Sequence, residues 1–347
     1  MFKMENRNYD LRVNASYEVP EFRPSDGVLR PSRLKALVVY LIAAVGLLAS
    51  SAIGSVLTMI FPDVGFWPMQ TITTLIYYVL ACLLPVFLFV SKDKDGRARI
   101  TSMRSNRMRF RTVVLAVVLG IISLLFANNL TVLWTLPFDA AGFNVYAAQV
   151  PAPENVGQLL FAVFSVGIMP GICEELVFRG FMQPAFEEKG TKRAVVFVSL
   201  LFALLHGSTL GFPVQFMLGV IMAVLLVVTD SVYPGIIFHV VYNSAAMVLM
   251  YVQNRMGMGA SVPGQLFNDI QGLLGVFSAA WGVMMLGAPI FLILFSLYRR
   301  ARNSGFKAIK KQPMRLRGGE IVLLCGGLTL SLLYYVLDFL MMAGVLK

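Results

Sequence analysis

The residues of this chain best suited to acid–base chemistry lie in three neighbouring apolar stretches. His206 and His239 are its only two histidines, and the third stretch carries Glu174, Glu175 and Arg179. Ionisable groups are costly inside a membrane span and are usually retained there for a function. The grouping therefore predicts a buried acid–base site that carries out hydrolysis within a membrane.

The two adjacent glutamates are expected to have different roles. Glu175 and Arg179 are four residues apart in the order that favours a helical ion pair, whereas Glu174 points about 100° away around the helix. One carboxylate is then paired, and its neighbour is free to act as a general base. The alternative is an ion pair of purely structural value, with Glu174 reaching the interface.

His206 is predicted to face Glu174 across a helical hairpin. Phe202 and His206 share one helix face at i, i+4 spacing. The basic turn near Gly190 lies 16 residues after Glu174 and 16 before His206, so an antiparallel hairpin brings both to one depth. A carboxylate and an imidazole that face each other can hold and deprotonate a water molecule.

His239 and Asn243 also share a helix face, on a helix that Pro234 is suited to start. Their side chains can donate two convergent hydrogen bonds to the oxyanion of an acyl-transfer reaction. Alternatively, Asn243 is a polar contact between helices. His239 lies only about five residues into its span. Glu174, His206 and His239 can therefore lie at one depth only if residues 181–193 protrude into the cytoplasm by about 15 Å, at 1.5 Å per residue. The site would then open to the cytoplasm.

These segments resemble the CPBP family of intramembrane proteases, also called the CAAX-protease and bacteriocin-processing or ABI family. The family pattern is E-E-x-x-x-R, then F-x-x-x-H, then H-x-x-x-N or H-x-x-x-D. In this chain the pattern reads Glu174-Glu175-x-x-x-Arg179, Phe202-x-x-x-His206 and His239-x-x-x-Asn243. The resemblance extends over roughly residues 157–250.

The resemblance implies an intramembrane endopeptidase that cleaves a membrane-associated protein or peptide. Glu174 and His206 would activate the water, and His239 and Asn243 would stabilise the oxyanion. The family includes type II endopeptidases that trim prenylated CAAX proteins, and bacterial members linked to bacteriocin immunity, peptide maturation and signalling. The residues implied to support the site are Glu175, Arg179 and Phe202.

A metal is a second way to activate the water, and the family is often described as metalloproteases. Glu174, His206 and His239 form a possible zinc set with an open fourth position. The same glutamate and His206 can also activate water without metal. We favour the metal-free mechanism, because His239 has a better role beside Asn243, and no cofactor is required by the sequence.

The composition predicts an all-α, polytopic transmembrane bundle of eight or nine helices. The chain is 58% hydrophobic and 14% charged, and stretches near the 20 residues that cross a bilayer recur along it. The predicted spans are 36–60, 67–91, 112–136, 157–178, 193–208, 213–230, 234–253, 271–298 and 319–345. The domain division expected from the motifs is a polar cytoplasmic tail (1–33), N-terminal helices (34–156), a catalytic core (157–250) and C-terminal helices (251–347).

Basic residues predict the orientation. Loops 92–111 and 299–318 each hold eight Lys or Arg, whereas loops 61–66 and 137–157 hold none. Because basic loops remain in the cytoplasm, the N-terminus is expected to be cytoplasmic. The net charge of +11 then reflects topology and attraction to anionic lipid rather than nucleic-acid binding. The expected location is a bacterial plasma membrane, and the oligomeric state is not predicted.

Three other readings have to be weighed. Cys173 adjoins Glu174, but buried cysteines are usually unreactive, and the distant Cys82, Cys173 and Cys325 predict no disulfide. A catalytically silent scaffold or bacteriocin-immunity protein would keep the fold and tolerate loss of Glu174. A proton-coupled carrier would use the Glu/His cluster as a relay, but the expected internal inverted repeat is not found.

Overall fold

The computed structural model describes residues 31–89, 104, 108–145, 150–257, 270–303, 313 and 315–345. Within these ranges the chain forms nine helices and no strand. They are α1 (Arg33–Ile60), α2 (Phe66–Phe89), α3 (Phe110–Ala140), α4 (Val156–Glu187), α5 (Thr191–Leu205), α6 (Phe212–Thr229), α7 (Tyr233–Arg255), α8 (Ile270–Asn303) and α9 (Gly318–Met342). Residues 1–30 of the predicted tail lie outside the described residues.

Eight of these helices are long and apolar enough to cross a membrane, which confirms the predicted all-α bundle. The ninth, α5, has 15 residues and is about 22 Å long at 1.5 Å per residue, short of the ~30 Å hydrocarbon core. It ends at His206 because Gly207 adopts a left-handed φ of +60°, which favours glycine. The short helix therefore ends inside the bundle, with His206 at its tip.

The bundle has one end that carries basic residues, called here the basic end. Arg33, at the start of α1, pairs with Glu320 of α9 at 3.4 Å. Arg104 pairs with both Glu187, at the end of α4, and Asp230, at the end of α6. At the opposite end, the start of α2 packs against the start of α4 and the end of α7. The helices thus alternate in direction between two defined ends, as the basic loops predict.

Helix α7 packs very closely against α4. A Cβ atom built on Gly171 would lie 2.9 Å from the backbone N of Val240, and one built on Gly167 would lie 3.2 Å from the Cα of Ser244. Small residues four apart are a common device for close helix packing in membranes. Val240 directly follows His239, and Ser244 directly follows Asn243. The close approach of α4 and α7 therefore brings the helix face that carries His239 and Asn243 next to Glu174.

We therefore expect Gly171→Ala to destabilise the α4–α7 contact by about 1–3 kcal/mol, the usual cost of overpacking. The measurement is the midpoint of unfolding in detergent. Gly275→Ala in α8 is the matched control, because a Cβ there meets no atom within 4 Å in the described part of the chain. Equal effects of the two substitutions would contradict the assigned packing.

Three π-helical turns interrupt α2 and α4, at Tyr78–Leu83, Val163–Ile168 and Leu176–Met182. Such turns are wider than an α-helix and often lie at functional sites. Two of them flank Glu174 in α4, and the third begins at a residue that contacts it. The sequence pattern did not predict these turns.

The end of α4, which belongs to the segment 181–193 expected to protrude, is packed within the bundle. Gln183 and Glu187 are fully buried, and Phe186 is almost so. Arg104 binds the end of α4 and Asp230 together, so the two ends lie at one level. The protrusion of residues 181–193 beyond the bilayer stays a prediction.

Candidate active site

Glu174 lies in the middle of α4 with its side chain buried at 7% relative exposure. The hydroxyl of Tyr78, in α2, donates a 2.5 Å hydrogen bond to its Oε1 atom. Within the described residues, the other carboxylate oxygen, Oε2, has no hydrogen-bond partner. A buried polar atom without a partner is uncommon and needs an explanation such as a catalytic role. One oxygen of Glu174 is thus held in place while the other is available.

His206 faces that free oxygen. Its Nε2 lies 3.8 Å from Glu174 Oε2, and its Nδ1 lies 2.8 Å from the carbonyl oxygen of Phe202. Because a carbonyl oxygen only accepts, Nδ1 carries the hydrogen. In the neutral imidazole, Nε2 is then an acceptor directed at Glu174. The facing positions predicted from the hairpin are confirmed.

Helix α9 fixes the turn that follows His206. The carboxylate of Asp338 accepts a 2.8 Å hydrogen bond from the backbone N–H of Thr209, and the Tyr335 hydroxyl donates to the carbonyl of Ala203. These contacts come from outside the three motifs. The sequence offered only one signal for them, namely an acidic residue inside the last apolar stretch.

His239 is brought to the same carboxylate from α7. Its Nε2 lies 4.0 Å from Glu174 Oε2 and its Nδ1 lies 3.5 Å from Glu175 Oε1. The Phe202 ring contacts both imidazoles, with centroid distances of 4.7 Å to His206 and 5.9 Å to His239. Phe202 thus sets the spacing of the two histidines, as a supporting residue would.

The predicted Glu175–Arg179 ion pair is present at 2.7 Å. Both side chains are buried, at 0% and 1% exposure. Arg179 also donates to the carbonyl of Gly219 in α6 at 2.9 Å, and its guanidinium lies 4.5 Å from the centroid of the Phe202 ring. The pair therefore ties α4 to α6 and supports the aromatic ring between the histidines.

Asn243 makes the polar contact between helices that was one of its two expected roles. Its Nδ2 donates a 2.9 Å hydrogen bond to the carbonyl of Val166, which is a polar contact between α7 and the first π-helical turn of α4. The amide has a second N–H, and Asn243 also lines the cavity above Glu174. One donor is engaged in helix packing, and the other remains for a ligand.

Glu174, His206, His239 and Asn243 all line one cavity of about 1100 Å³. Its walls continue along α1 and α2 as far as Thr58 and the residues from Phe61 to Phe66, which join these helices away from the basic end. This direction contradicts the expectation that the site opens toward the basic end. The wall extends to the other end of the bundle.

Sequence reasoning missed Tyr78, which lies far before the three motifs. The only signal for it was a tyrosine pair, Tyr77-Tyr78, within an apolar span. A buried aromatic hydroxyl usually requires a partner, but a sequence does not indicate which residue on another helix supplies it.

We expect Tyr78→Phe to lower kcat by about 10- to 100-fold, because a hydrogen bond to a charged group contributes about 1.5–3 kcal/mol. KM should change little, since Tyr78 contacts the base rather than the substrate. Tyr77→Phe is the matched control, because Tyr78 is the tyrosine bonded to Glu174 Oε1, and Oε2 has no hydrogen-bond partner among the described residues. An unchanged kcat in Tyr78→Phe would rule out this positioning role.

The donor atoms do not form a ready zinc site in this arrangement. Tetrahedral zinc with ligands at about 2.0–2.2 Å would hold donor atoms about 3.4 Å apart, whereas the distances here are 3.8 and 4.0 Å. Among the described residues, no three His, Cys, Asp or Glu side chains form a group that could hold a metal ion. No step of the mechanism below is therefore assigned to a metal.

Comparison with protein families matches residues 156–245 to the family model described as type II CAAX prenyl endopeptidase Rce1-like. No curated protein and no solved structure matches the chain. The matched segment contains all three motifs and runs from the start of α4 into α7. Over this segment the chain is similar to the Rce1-like family of CAAX prenyl endopeptidases, in agreement with the resemblance of its three motifs to the CAAX-protease family.

Proposed function

We propose that this protein is an intramembrane endopeptidase that hydrolyses a peptide bond of a membrane-associated protein or peptide. The observation that carries the proposal is the free Oε2 atom of Glu174. It is buried, lies 3.8 and 4.0 Å from the Nε2 atoms of His206 and His239, and borders a cavity of about 1100 Å³. That arrangement supplies a base, a second water ligand and an oxyanion donor around one point.

In the first step, Glu174 activates the attacking water. The water donates one hydrogen bond to Glu174 Oε2 and the other to His206 Nε2, which accepts because Nδ1 donates to Phe202. As the water oxygen bonds to the substrate carbonyl carbon, its proton moves to Glu174. The Tyr78 hydrogen bond holds Oε1, so the carboxylate keeps its orientation during the transfer.

In the second step, His239 and Asn243 stabilise the tetrahedral oxyanion. His239 donates from Nε2, which lies 4.0 Å from Glu174 Oε2, and Asn243 donates with its remaining N–H. Collapse of the intermediate breaks the C–N bond, and Glu174 returns its proton to the leaving amine.

We also propose that the protein lies in a bacterial plasma membrane, with its basic end and its N-terminus on the cytoplasmic side. The support is the positive-inside rule applied to the basic residues at this end, among them Arg33 and Arg104.

Chelation tests the metal-free form of the mechanism. We expect hydrolysis by the purified protein to persist after treatment with a zinc chelator and dialysis, because Glu174 and His206 suffice to activate water. The control is a known zinc protease treated in the same buffer. Activity that disappears on chelation and returns with zinc would overturn this mechanism and assign Glu174, His206 and His239 as ligands.

The test of the function itself is hydrolysis in H₂¹⁸O by purified protein in liposomes that contain membrane-anchored reporter peptides. A peptidase yields fragments in which the new carboxyl group carries ¹⁸O, and mass spectrometry identifies the bond. A scaffold, an immunity protein or a carrier yields no fragments. Absence of labelled fragments across a broad peptide library would overturn the proposal.

A further inference from the structure

We propose that the substrate of this site is an internal segment of extended polypeptide that enters from the end of the bundle opposite the basic end. This inference rests on the proposed peptidase function and specifies its substrate class and route. Three observations support it: the direction of the cavity, the hydrogen-bonding character of its wall and the absence of lysine and arginine among the described residues that line it.

The cavity leads from the catalytic residues to one end of the bundle. Glu174, His206 and His239 lie at its inner part, and its lining continues along α1 through Ser51, Ser55 and Thr58. It ends at the loop before α2, where Phe61 and Phe66 are about half exposed. Because α1 starts at the basic end, this loop marks the opposite end.

The α1 and α2 wall is rich in hydroxyl groups that present acceptor oxygens. Ser50 donates to the carbonyl of Leu47, and Ser55 and Thr58 donate to the carbonyls of Ser51 and Gly54. Their hydrogens are thus used within α1, and each hydroxyl oxygen keeps a lone pair. Thr73 does the same in α2. A row of acceptors suits the N–H groups of an extended peptide.

The acceptor oxygens of Ser50, Ser55 and Thr58 favour a peptide backbone over an alkyl chain as the occupant along α1, because only the peptide brings N–H donors to them.

The charge of the wall favours an internal segment over a C-terminal carboxylate. Among the described residues that line the cavity there is no lysine or arginine, and Arg179 lies behind Glu175. A terminal carboxylate would find no lysine or arginine among these residues, and Glu174 would repel it. An internal segment carries no charge on its backbone, and the scissile bond can reach Glu174 with chain on both sides.

With the basic end in the cytoplasm, this substrate arrives from the outer side of the membrane. That direction follows from the positive-inside rule and from the position of the cavity mouth. The protein would then cleave a segment that is exported or that projects outward from the bilayer.

Thiol labelling in oriented vesicles tests the route without requiring activity. Ser55→Cys places a thiol in the cavity wall, and Val56→Cys is the matched control on the lipid-facing side, where Val56 is 53% exposed. Arg302→Cys, at the exposed end of α8, marks the basic end. The unaltered protein, with its three cysteines, sets the background for a membrane-impermeant maleimide.

We expect Ser55→Cys to react only when the reagent is on the side opposite to the one that labels Arg302→Cys. The control Val56→Cys should stay near background, because a thiol in lipid is not ionised. Labelling of Ser55→Cys from the basic side, or from neither side, would overturn the proposed route.

A second measurement tests the occupant with the reporter peptides described above. Ser55→Trp should lower kcat/KM for an internal cleavage site by about tenfold or more, because a misplaced segment loses its alignment with the base. Val56→Trp should leave it within about twofold. Equal effects of the two variants on Glu174-dependent cleavage would overturn the substrate inference alone. If wild-type protein cleaves nothing, the proposed function fails instead, while the labelling result still stands.

Discussion

Replacing Glu174 with glutamine is expected to lower the rate of peptide hydrolysis by about 10³-fold or more. Loss of a positioned general base typically costs 10²- to 10⁴-fold. Here the same oxygen, Oε2, also lies nearest to both histidines. The amide keeps the size of the side chain, and its carbonyl oxygen can still accept the hydrogen bond from Tyr78. The variant should therefore fold like the wild type and bind substrate with little change in KM.

Two controls separate loss of the base from loss of structure. Glu174→Asp keeps a carboxylate but withdraws it by one methylene group, so we expect partial activity between wild type and Glu174→Gln. Glu154→Gln, in the loop before α4, removes a carboxylate that is exposed and should not alter the rate. Glu174→Gln protein that is folded and retains full activity would contradict the assignment of Glu174 as the base.

Replacing Arg179 with methionine is expected to destabilise the protein by about 3–5 kcal/mol, the cost of removing one partner of a buried ion pair. Glu175 would remain fully buried with its closest cation removed, and the carbonyl of Gly219 would lose its donor. The measurement is the free energy of unfolding in mixed detergent micelles. Activity should fall as well, since Arg179 supports the ring of Phe202.

The double variant Glu175→Gln/Arg179→Met tests why Arg179→Met loses stability. If the cost comes from the unpaired carboxylate, removing its charge should recover part of the stability, which a double-mutant cycle measures as coupling. The control is Lys189→Met, which breaks the exposed pair with Glu188 and should cost less than about 1 kcal/mol. A loss below 1 kcal/mol in Arg179→Met would show that the buried pair is not a determinant of stability.

The sequence predicted the helices well because membrane spans have a strong signal. All nine predicted stretches correspond to helices, since about 20 apolar residues in a row have few other uses. The predicted stretch 193–208 is already short. The point at which α5 ends depends on a single left-handed glycine, Gly207, and on Asp338 of α9, 129 residues after its partner Thr209.

The positions of the motif residues could be predicted because each pair was local or related by one hairpin. Glu175–Arg179 and Phe202–His206 follow from i, i+4 spacing, and Glu174–His206 follows from equal distances to the turn. The level of His239 could not be predicted in the same way, because it depends on how the ends of α4 and α7 are placed, and Arg104 joins Glu187 to Asp230 there. Residue types alone also gave no sign of the π-helical turn Leu176–Met182.

The contacts that the sequence did not reveal join single polar residues on distant helices. Tyr78 meets Glu174 across 96 positions of sequence, and Arg104 meets Glu187 across 83. Neither belongs to a periodic pattern, and each has many possible partners until the packing is known. The direction of the cavity could not be predicted either, because it depends on how α1 and α2 pack against the helices that carry the motif residues.

The most direct measurement is N-terminal peptide profiling of membranes from cells that carry either the wild-type protein or Glu174→Gln at equal abundance. We predict a set of new N-termini that are present with the wild type and absent with Glu174→Gln, and these termini would identify both the substrate and the cleaved bond. Matching profiles, together with a wild-type phenotype that persists in Glu174→Gln, would contradict the peptidase function and favour a scaffold that binds its partner without cleaving it.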